Sequence, residues 1–558
     1  IHFLGGTFDT VINLANFEDA TIDANVTGAP LSLLSNVTMN AHYGARTGPA
    51  YENDPNSVVH WNGFAPYPGC AVVKNVGLSQ AFATISAGLA NLLANNNPLP
   101  GHSCIVVRDN ATYAEQVTVE GFTNNGSSIS IFTDPAVGSR AIIDPPAAST
   151  AAFFIKNASV NVLGLDVVPT VELVSYGVFA SSGYVHISSV AVDAGGNIWQ
   201  AGMRVSSSGS VGYSSVTVQG TRGFWLDGEF AIVSYSSAEA TGAAGVALYA
   251  AGADTNTVSA AYLYAPQGVA VRLLTGSEWN RIENSRLQSN AVGGYALYMT
   301  GADSNTVTGS FVTNPLGYGA RLDTGADYNT ISYSTIAVNT SNPQTALHLF
   351  SSQGNLVTRS YIENMNAAAF GLILGSGGGR HTVSFSTVVV NAAARSALFV
   401  NASDSNTITD TTIRNPSGYA LQLDASSEAN LLARSTMTSA NATYAALDVV
   451  GSSNTVDASY VSNTAGHAVQ LLNGSILNLI SRSTMTTGAA SFAALFVNGA
   501  DSSTVTDSWM TSPAGHAAQF ASGSNYNTIT FSTMTAFSAT HNALLLTGAD
   551  GNTVSGSY

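Results

Sequence analysis

Residues 301–332 read GADSNTVTGSFVTNPLGYGARLDTGADYNTIS, and the phrase Gly-Ala-Asp-x-Asn-Thr starts at Gly301 and again at Gly325. Val307 and Ile331 follow the two Asn-Thr pairs at the same distance. The Asn-Thr-Val/Ile phrase aligns at thirteen positions, from 256 to 552, and every step is 24, 25 or 26 residues. Asn fills eleven of them: Asn256, Asn280, Asn305, Asn329, Asn355, Asn406, Asn430, Asn454, Asn478, Asn527 and Asn552. His381 and Ser503 take the other two places. Weaker matches carry the register upstream to Ala231, Gly209, Gly183 and Asn161. Self-similarity at a fixed period of this size marks a solenoid, whose units bury their apolar faces only against neighbours.

Each unit holds a short alternating segment such as Asn305-Thr-Val-Thr-Gly-Ser-Phe, and another such as Ala296-Leu-Tyr-Met or Ala420-Leu-Gln-Leu. Alternation of apolar and polar residues is a strand pattern. The runs are too short, and too rich in Thr, Val, Gly and Asn, for paired helices. The expected fold is all-β: a right-handed single-stranded parallel β-helix of about 17 coils, each of 22–26 residues, with a short N-terminal capping helix. Val307, Ile331, Ile408, Val456 and Ile529 would stack inside, as would Leu297, Leu347, Leu398, Leu421, Leu447 and Leu495. The repeated Asn would form a ladder, each amide bonding the turn backbone and its neighbours above and below. A second period lies over the first: Ser-Thr-Met-Thr begins at Ser435, Ser483 and Ser532, every 48–49 residues. Coils therefore come in pairs, either by simple duplication or to place alternate loops on one lateral surface.

Charged residues make up 9% of the chain, against about 25% in ordinary soluble domains. The net charge of −16 makes nucleic acid and anionic membranes poor candidate partners, and no nucleic acid is expected. No apolar run reaches the roughly 18–20 residues of a membrane-spanning helix, so no membrane insertion is expected. Cys70 and Cys104 would form one bridge in an oxidising compartment; the other reading is two buried thiols. Nine Asn-x-Ser/Thr acceptor phrases begin at Asn25, Asn36, Asn110, Asn125, Asn157, Asn339, Asn401, Asn441 and Asn473. The chain starts at Ile1 and stops within a coil at Tyr558, so it is expected to be a processed form or a fragment, or to have its end covered by another subunit.

Three segments are expected: an irregular or strand-rich extension over 1–79, the capping helix and first coils over 80–150, and the regular β-helix over 151–558. Residues 80–93, QAFATISAGLANLL, carry apolar side chains at helical spacing, and Tyr113-Ala-Glu-Gln-Val-Thr-Val follows. This helix, strand and Tyr-x-Glu-x-Val-x-Val opening resembles that of pectin methylesterases and related members of the pectin-lyase-like β-helix superfamily. The Asn-x-Val/Ile coils are similar to the generic repeats of that superfamily. The resemblance implies that the helix covers the open end of the coil stack. It does not fix an activity, because the fold carries lyases, hydrolases, esterases, epimerases, tailspikes and adhesins.

The superfamily's catalytic phrases are absent. Arg281-Ile-Glu283 ends on the wrong residue for a polygalacturonase, and Asp166, Asp193 and Arg204 sit in the coils where methylesterases keep their site but in unmatched local sequence. The local cluster with most chemistry is Arg222-Gly-Phe-Trp-Leu-Asp-Gly-Glu. Trp225 would stack on a sugar while Asp227 and Glu229 act as acid and base; the alternative is a loop with ordinary surface charges. Two residues before the repeated Asn, four successive coils carry Asp254, Glu278, Asp303 and Asp327, and Asp404 and Glu428 form a second pair. Such a stack either holds a hard cation such as Ca²⁺ or caps its own turns facing water. His467, His516 and His541 are read as scattered loop residues without metal-site spacing.

Two functions are expected. The first is a non-catalytic extracellular protein of a cell surface, matrix, filament or adhesin stalk, partnered by copies of itself or neighbouring subunits and needing no cofactor. The alternative is a secreted polysaccharide-active lyase, hydrolase or esterase, or a tailspike-like glycan binder.

Overall fold

The computed structural model describes residues 70–558, except 182–183, 207 and 340–343, together with three backbone strands upstream of them. Asn25 and Asn36 lie outside the described residues. The upstream strands Thr10–Asn13, Val37–His42 and Val58–Asn62 pair in parallel. The remaining chain is an all-β parallel solenoid of about 18 turns with three parallel sheets, slightly more than the sequence count. It divides into two compact units. The first comprises Ile1–Tyr249 with Asn256–Ala261, and the second Ala250–Thr255 with Tyr262–Tyr558.

In the second unit each turn runs through the sheets in the same order. Thr306–Thr308 lies in sheet I, Phe311–Thr313 in sheet II and Tyr318–Asp323 in sheet III. Each strand pairs in parallel with its equivalent one turn on, as in Val307↔Ile331, Val312↔Ile336 and Leu322↔Leu349. The inward residues Val307, Ile331, Ile408, Val456 and Ile529 are buried, and so are the six Leu of sheet III. Because side chains alternate across a strand, residues on either side of each core position face outward.

The first unit repeats this plan with less regular strands. Sheet I begins with Val72–Val76, ahead of the helix rather than after residue 80, and pairs with Ser103–Val107. The helix spans Ile85–Asn95 and starts later than its apolar spacing suggests, because Thr84 is its N-cap and accepts from the Ala87 amide at 3.1 Å. Glu115, from the Tyr-x-Glu-x-Val-x-Val phrase, accepts from the Ile85 and Ser86 amides at 2.8 and 2.9 Å. An acidic side chain on the free amides of a helix start ties the helix to the first turns. Ile85, Leu89 and Leu92 are buried beneath it. Cys70 and Cys104 form a disulfide, with Cys104 in a small core cluster with Val106, Phe132 and Leu163.

Two hydrogen-bonded columns hold successive turns together. Asn305 N–H donates to Asn329 Oδ1 at 2.8 Å, and Asn329 N–H to Asn355 Oδ1 at 2.8 Å. Asn329 Nδ2 donates back to Ala302 O at 2.9 Å. His381 and Ser503 keep the register: Asn355 N–H donates to His381 Nδ1 at 3.2 Å, and Asn478 N–H to Ser503 Oγ at 3.2 Å. In the first unit Asn256 Oδ1 accepts from Ala231 N–H at 2.7 Å. The second column lies at the corner between sheets I and II, where Ser310 Oγ accepts from Ser285 N–H at 3.2 Å and donates to Thr308 O at 3.0 Å. Ser334, Ser360 and Ser386 continue it. The residue before each Ser has a positive φ, 58° at Gly309 and 50° at Tyr333.

Candidate functional site

The Arg222-to-Glu229 cluster lies in the first unit on sheet III. Its strand, Arg222–Asp227, ends at Asp227, so Glu229 stands in the following turn and does not share the strand face expected for it. Trp225 faces outward and is half-buried in a column set by strand register: Phe154 pairs with Phe179, Phe179 with Arg204, and Arg204 with Trp225. Phe154 and Phe179 have ring centroids 5.6 Å apart. The Arg204 guanidinium lies 4.9 Å from the Phe179 ring centre and 4.3 Å from that of Trp225. Arg222 sits 4.5 Å from the Trp225 ring and 4.3 Å from Tyr249. Tyr249 meets Trp225 edge-on at 5.7 Å. Cations over aromatic faces contribute about 0.5–2 kcal/mol each, so the column is a packed stack of rings and guanidinium groups.

Asp227 is committed to that stack. Its Oδ2 accepts from Arg204 Nε at 2.8 Å and also from Nη2. Arg204 Nη1 donates to the Tyr176 hydroxyl at 2.9 Å. Burial works against the Arg204 charge, but the bonds to Asp227 and Tyr176 outweigh it and hold the guanidinium pKa above its usual value. The cluster therefore offers a carboxylate paired to arginine and an indole already covered by two guanidinium groups. Asp166 and Asp193 lie on sheet II, with Asp166 paired to Arg140 at 3.3 Å, so neither joins Arg204 on sheet III.

A cavity of about 390 Å³ opens between the capping helix and the start of sheet III, beside Leu89, Leu93, Gln116, Thr118 and Glu120. Gln116 is already engaged there, accepting from Thr150 N–H at 2.8 Å and donating to Thr118 Oγ1 at 3.1 Å.

The acidic stack lies at the corner between sheets III and I. One oxygen of each Asp accepts a backbone amide from the next turn: Asp254 from Glu278, Asp303 from Asp327, Asp327 from Gln353 and Asp404 from Glu428, at 2.7–2.9 Å. This is the turn-capping arrangement, extended from one turn to the next. Among the described residues the one cluster of three ligand-type side chains is Cys70, His102 and Cys104, and both thiols are in the disulfide.

His467 and His541 lie in loops and His516 opens a sheet III strand. His467 Nδ1 accepts from Ala493 N–H at 3.0 Å, and His516 Nδ1 from Asn542 N–H at 3.0 Å, the same role at the start of sheet III. His516 and His541 have ring centres 4.8 Å apart. Of the glycosylation phrases, Asn110, Asn125, Asn157, Asn339 and Asn473 are exposed. Asn401 and Asn441 are half-buried, and Asn441 Nδ2 donates to Ser417 O at 2.9 Å.

Sequence comparison adds one decisive observation: the family described as "Right handed beta helix region" matches residues 248–397 and 396–558, more than half of the chain. The chain belongs to the right-handed β-helix family. No curated protein matches it. Solved β-helix structures similar to it include the Dettilon tailspike protein, at 11% identity and a TM-score of 0.38 over 63% of this chain and 62% of the tailspike. DFA-IIIase from Arthrobacter chlorophenolicus A6 is 14% identical, with a TM-score of 0.40 over 57% of this chain and 94% of the enzyme. The A-module of a mannuronan C-5 epimerase from Azotobacter vinelandii is 10% identical, with a TM-score of 0.31 over 69% of this chain and 96% of the module.

What the sequence pattern missed is the second column. Ser, or Thr411, stands five residues after the repeated Asn in nearly every coil, as in Asn305 and Ser310 or Asn454 and Ser459. The signal was present but is easily lost in a Ser- and Thr-rich chain.

Proposed function

We propose that this chain is a non-catalytic extracellular β-helix protein, a structural component of a surface, matrix or filament or the stalk of an adhesin. The observation that carries this reading is the engagement of Asp227 by Arg204. A hydrolase or lyase of this fold needs a carboxylate or base free to exchange protons with a bound sugar. Here the one acidic side chain on the strand is ion-paired with Arg204 of the preceding turn, and Glu229 lies beyond the strand end. The disulfide and the low charge suit an oxidising, extracellular setting. Regular turns with small polar surfaces suit packing against copies of the chain or against other subunits.

The test has two arms. Asp227→Asn and Glu229→Gln variants and the parent chain are incubated with acidic and neutral polysaccharides while new chain ends are measured. No release above blank is expected from any of them. Electron microscopy of the native material supplies the second arm, in which ordered filaments or sheets are expected. Sustained cleavage lost on Asp227→Asn would establish the alternative, a polysaccharide-active enzyme.

A further inference from the structure

The outward residues that open the sheet II strands of the second unit form one column in strict register. An aromatic ring stands at every second place: Tyr262, Phe311 and Tyr361 in one run, Tyr460 and Trp509 in another. Between them stand Arg286, Thr335 and Thr484. Thr412 takes an aromatic place between the runs. This is the physical content of the two-coil period in the sequence. The five rings are 37–56% exposed, although they belong to the sheet and not to a loose loop.

The alternation also sets how the rings lie. The Tyr460 hydroxyl reaches Thr486 Oγ1 in the next turn at 3.3 Å, and the Tyr262 hydroxyl reaches Gln288 Oε1 at 3.4 Å. These two tyrosines thus lean along the stack across the neighbouring turn. Arg286 fills the place between Tyr262 and Phe311 with its guanidinium 5.8 and 5.6 Å from the two ring centres. The strand positions that carry rings, two turns apart, are separated by about 9.6 Å, twice the spacing between paired strands.

That distance is close to the advance of one disaccharide in a fully extended β-1,4-linked glycan, which presents the same sugar face at every second residue. Arg286, Glu363 and Arg414 put charge elsewhere on this face, but the strands around Tyr460 and Trp509 fit an uncharged polymer. Around Tyr460 and Trp509 the outward residues are Thr436, Thr438, Ser462, Thr484, Thr486 and Thr511, all hydroxyls and none charged. Rigid aromatic faces supply contact area with little entropy to lose, and hydroxyls supply adaptable hydrogen bonds. We propose that the outer face of sheet II around Tyr460 and Trp509 is a binding platform for an extended, uncharged β-1,4-linked polysaccharide. Tyr460 and Trp509 stack on sugars two residues apart.

This goes beyond the structural role proposed above, and either can fail alone: cleavage is read by new chain ends, binding by retention. The full chain is sedimented with insoluble cellulose, chitin and mannan, with α-linked starch as control. Cellulose and chitin share the linkage and differ in the acetamido group, so those arms distinguish the sources. Retention on at least one β-1,4 polymer is expected, reduced tenfold or more in a Tyr460→Ala, Trp509→Ala chain with an unchanged melting temperature. A Thr484→Trp, Trp509→Thr chain keeps the ring count but places two rings on successive turns, and it should lose as much. Should that exchange fail to fold, Trp509→Thr alone reads the same station. No retention on any β-1,4 polymer, equal retention on starch, or full retention by the double alanine chain would overturn the platform.

Discussion

Asn329 commits both ends of its side-chain amide to the preceding turn, at Asn305 N–H and Ala302 O, and it is almost fully buried. Replacing it with Leu leaves the Asn305 N–H and the Ala302 carbonyl unpaired in the interior. The expected cost is about 2–4 kcal/mol, read as a lowered melting temperature; an unchanged value would remove the ladder's structural role. His381 holds the same place with an imidazole, and burial pushes its pKa down to about 4, opposed by a bond with the Ser352 backbone. A histidine whose pKa is lower folded than unfolded contributes stability above pH 6.5 that is lost as pH falls through 4. His348 and His467, also depressed to about 4 mainly by burial, act in the same direction. Asp448 opposes them. Burial raises its pKa to about 6, so its contribution is present at low pH and fades as pH rises through 6. His381→Asn restores the usual rung, and it should flatten the fall in melting temperature between pH 6.5 and 4. The difference from the parent chain at pH 4 is expected to approach ~3 kcal/mol. Identical pH profiles would show that His381 titrates outside this window.

At the scale of single elements, the corners carry as much of the fold as the strands. Ser310 Oγ joins one turn to the next and back to Thr308, so Ser310→Ala should cost about 1 kcal/mol, less than a lost Asn rung. Asp327 accepts from the Gln353 amide at 2.7 Å, a bond that Asn at the same position can also accept. Asp327→Asn is therefore expected to melt as the parent chain does, with EDTA changing neither; a drop of several degrees in EDTA for the parent alone would assign a cation to the stack. In the first unit the Cys70–Cys104 bond closes a separation of 34 residues, and its reduction should lower stability by about 4 kcal/mol in a thermal melt. The strands and their inward Val, Ile and Leu were legible because a 24–26-residue period with alternation admits few other folds. The corner chemistry was not. A Ser five residues past an Asn looks like composition in this chain, and only the turn-to-turn distance reveals its partner. Glu115 was legible as part of a phrase, but its bond to the helix start joins residues 30 apart.

Over the whole chain, one physical plan explains most of the sequence. Small polar residues close the corners, alternating apolar residues fill the interior, and two columns of amides and hydroxyls fix the register between turns. Charge is sparse because few positions call for it, and several of the arginines present are paired, as Arg434 is with Asp410 and Arg482 with Asp457. The Arg222-to-Glu229 cluster looked like chemistry because linear sequence placed a Trp beside two acids. Folding adds Arg204 from the preceding turn, which sequence spacing alone does not bring to Asp227. The two-coil period, in contrast, was visible in sequence as Ser-Thr-Met-Thr, but its aromatic column emerged only when strand register aligned Tyr460 with Thr484 and Thr484 with Trp509. The structural role proposed for the chain requires that it turn over no sugar polymer. The most direct measurement is prolonged incubation of the purified chain with a panel of acidic and neutral polysaccharides, followed by quantification of reducing ends and unsaturated products. No product above blank is expected from the parent chain or from Asp227→Asn; steady release by the parent would overturn the non-catalytic role, and its loss in Asp227→Asn would place the chemistry at Asp227.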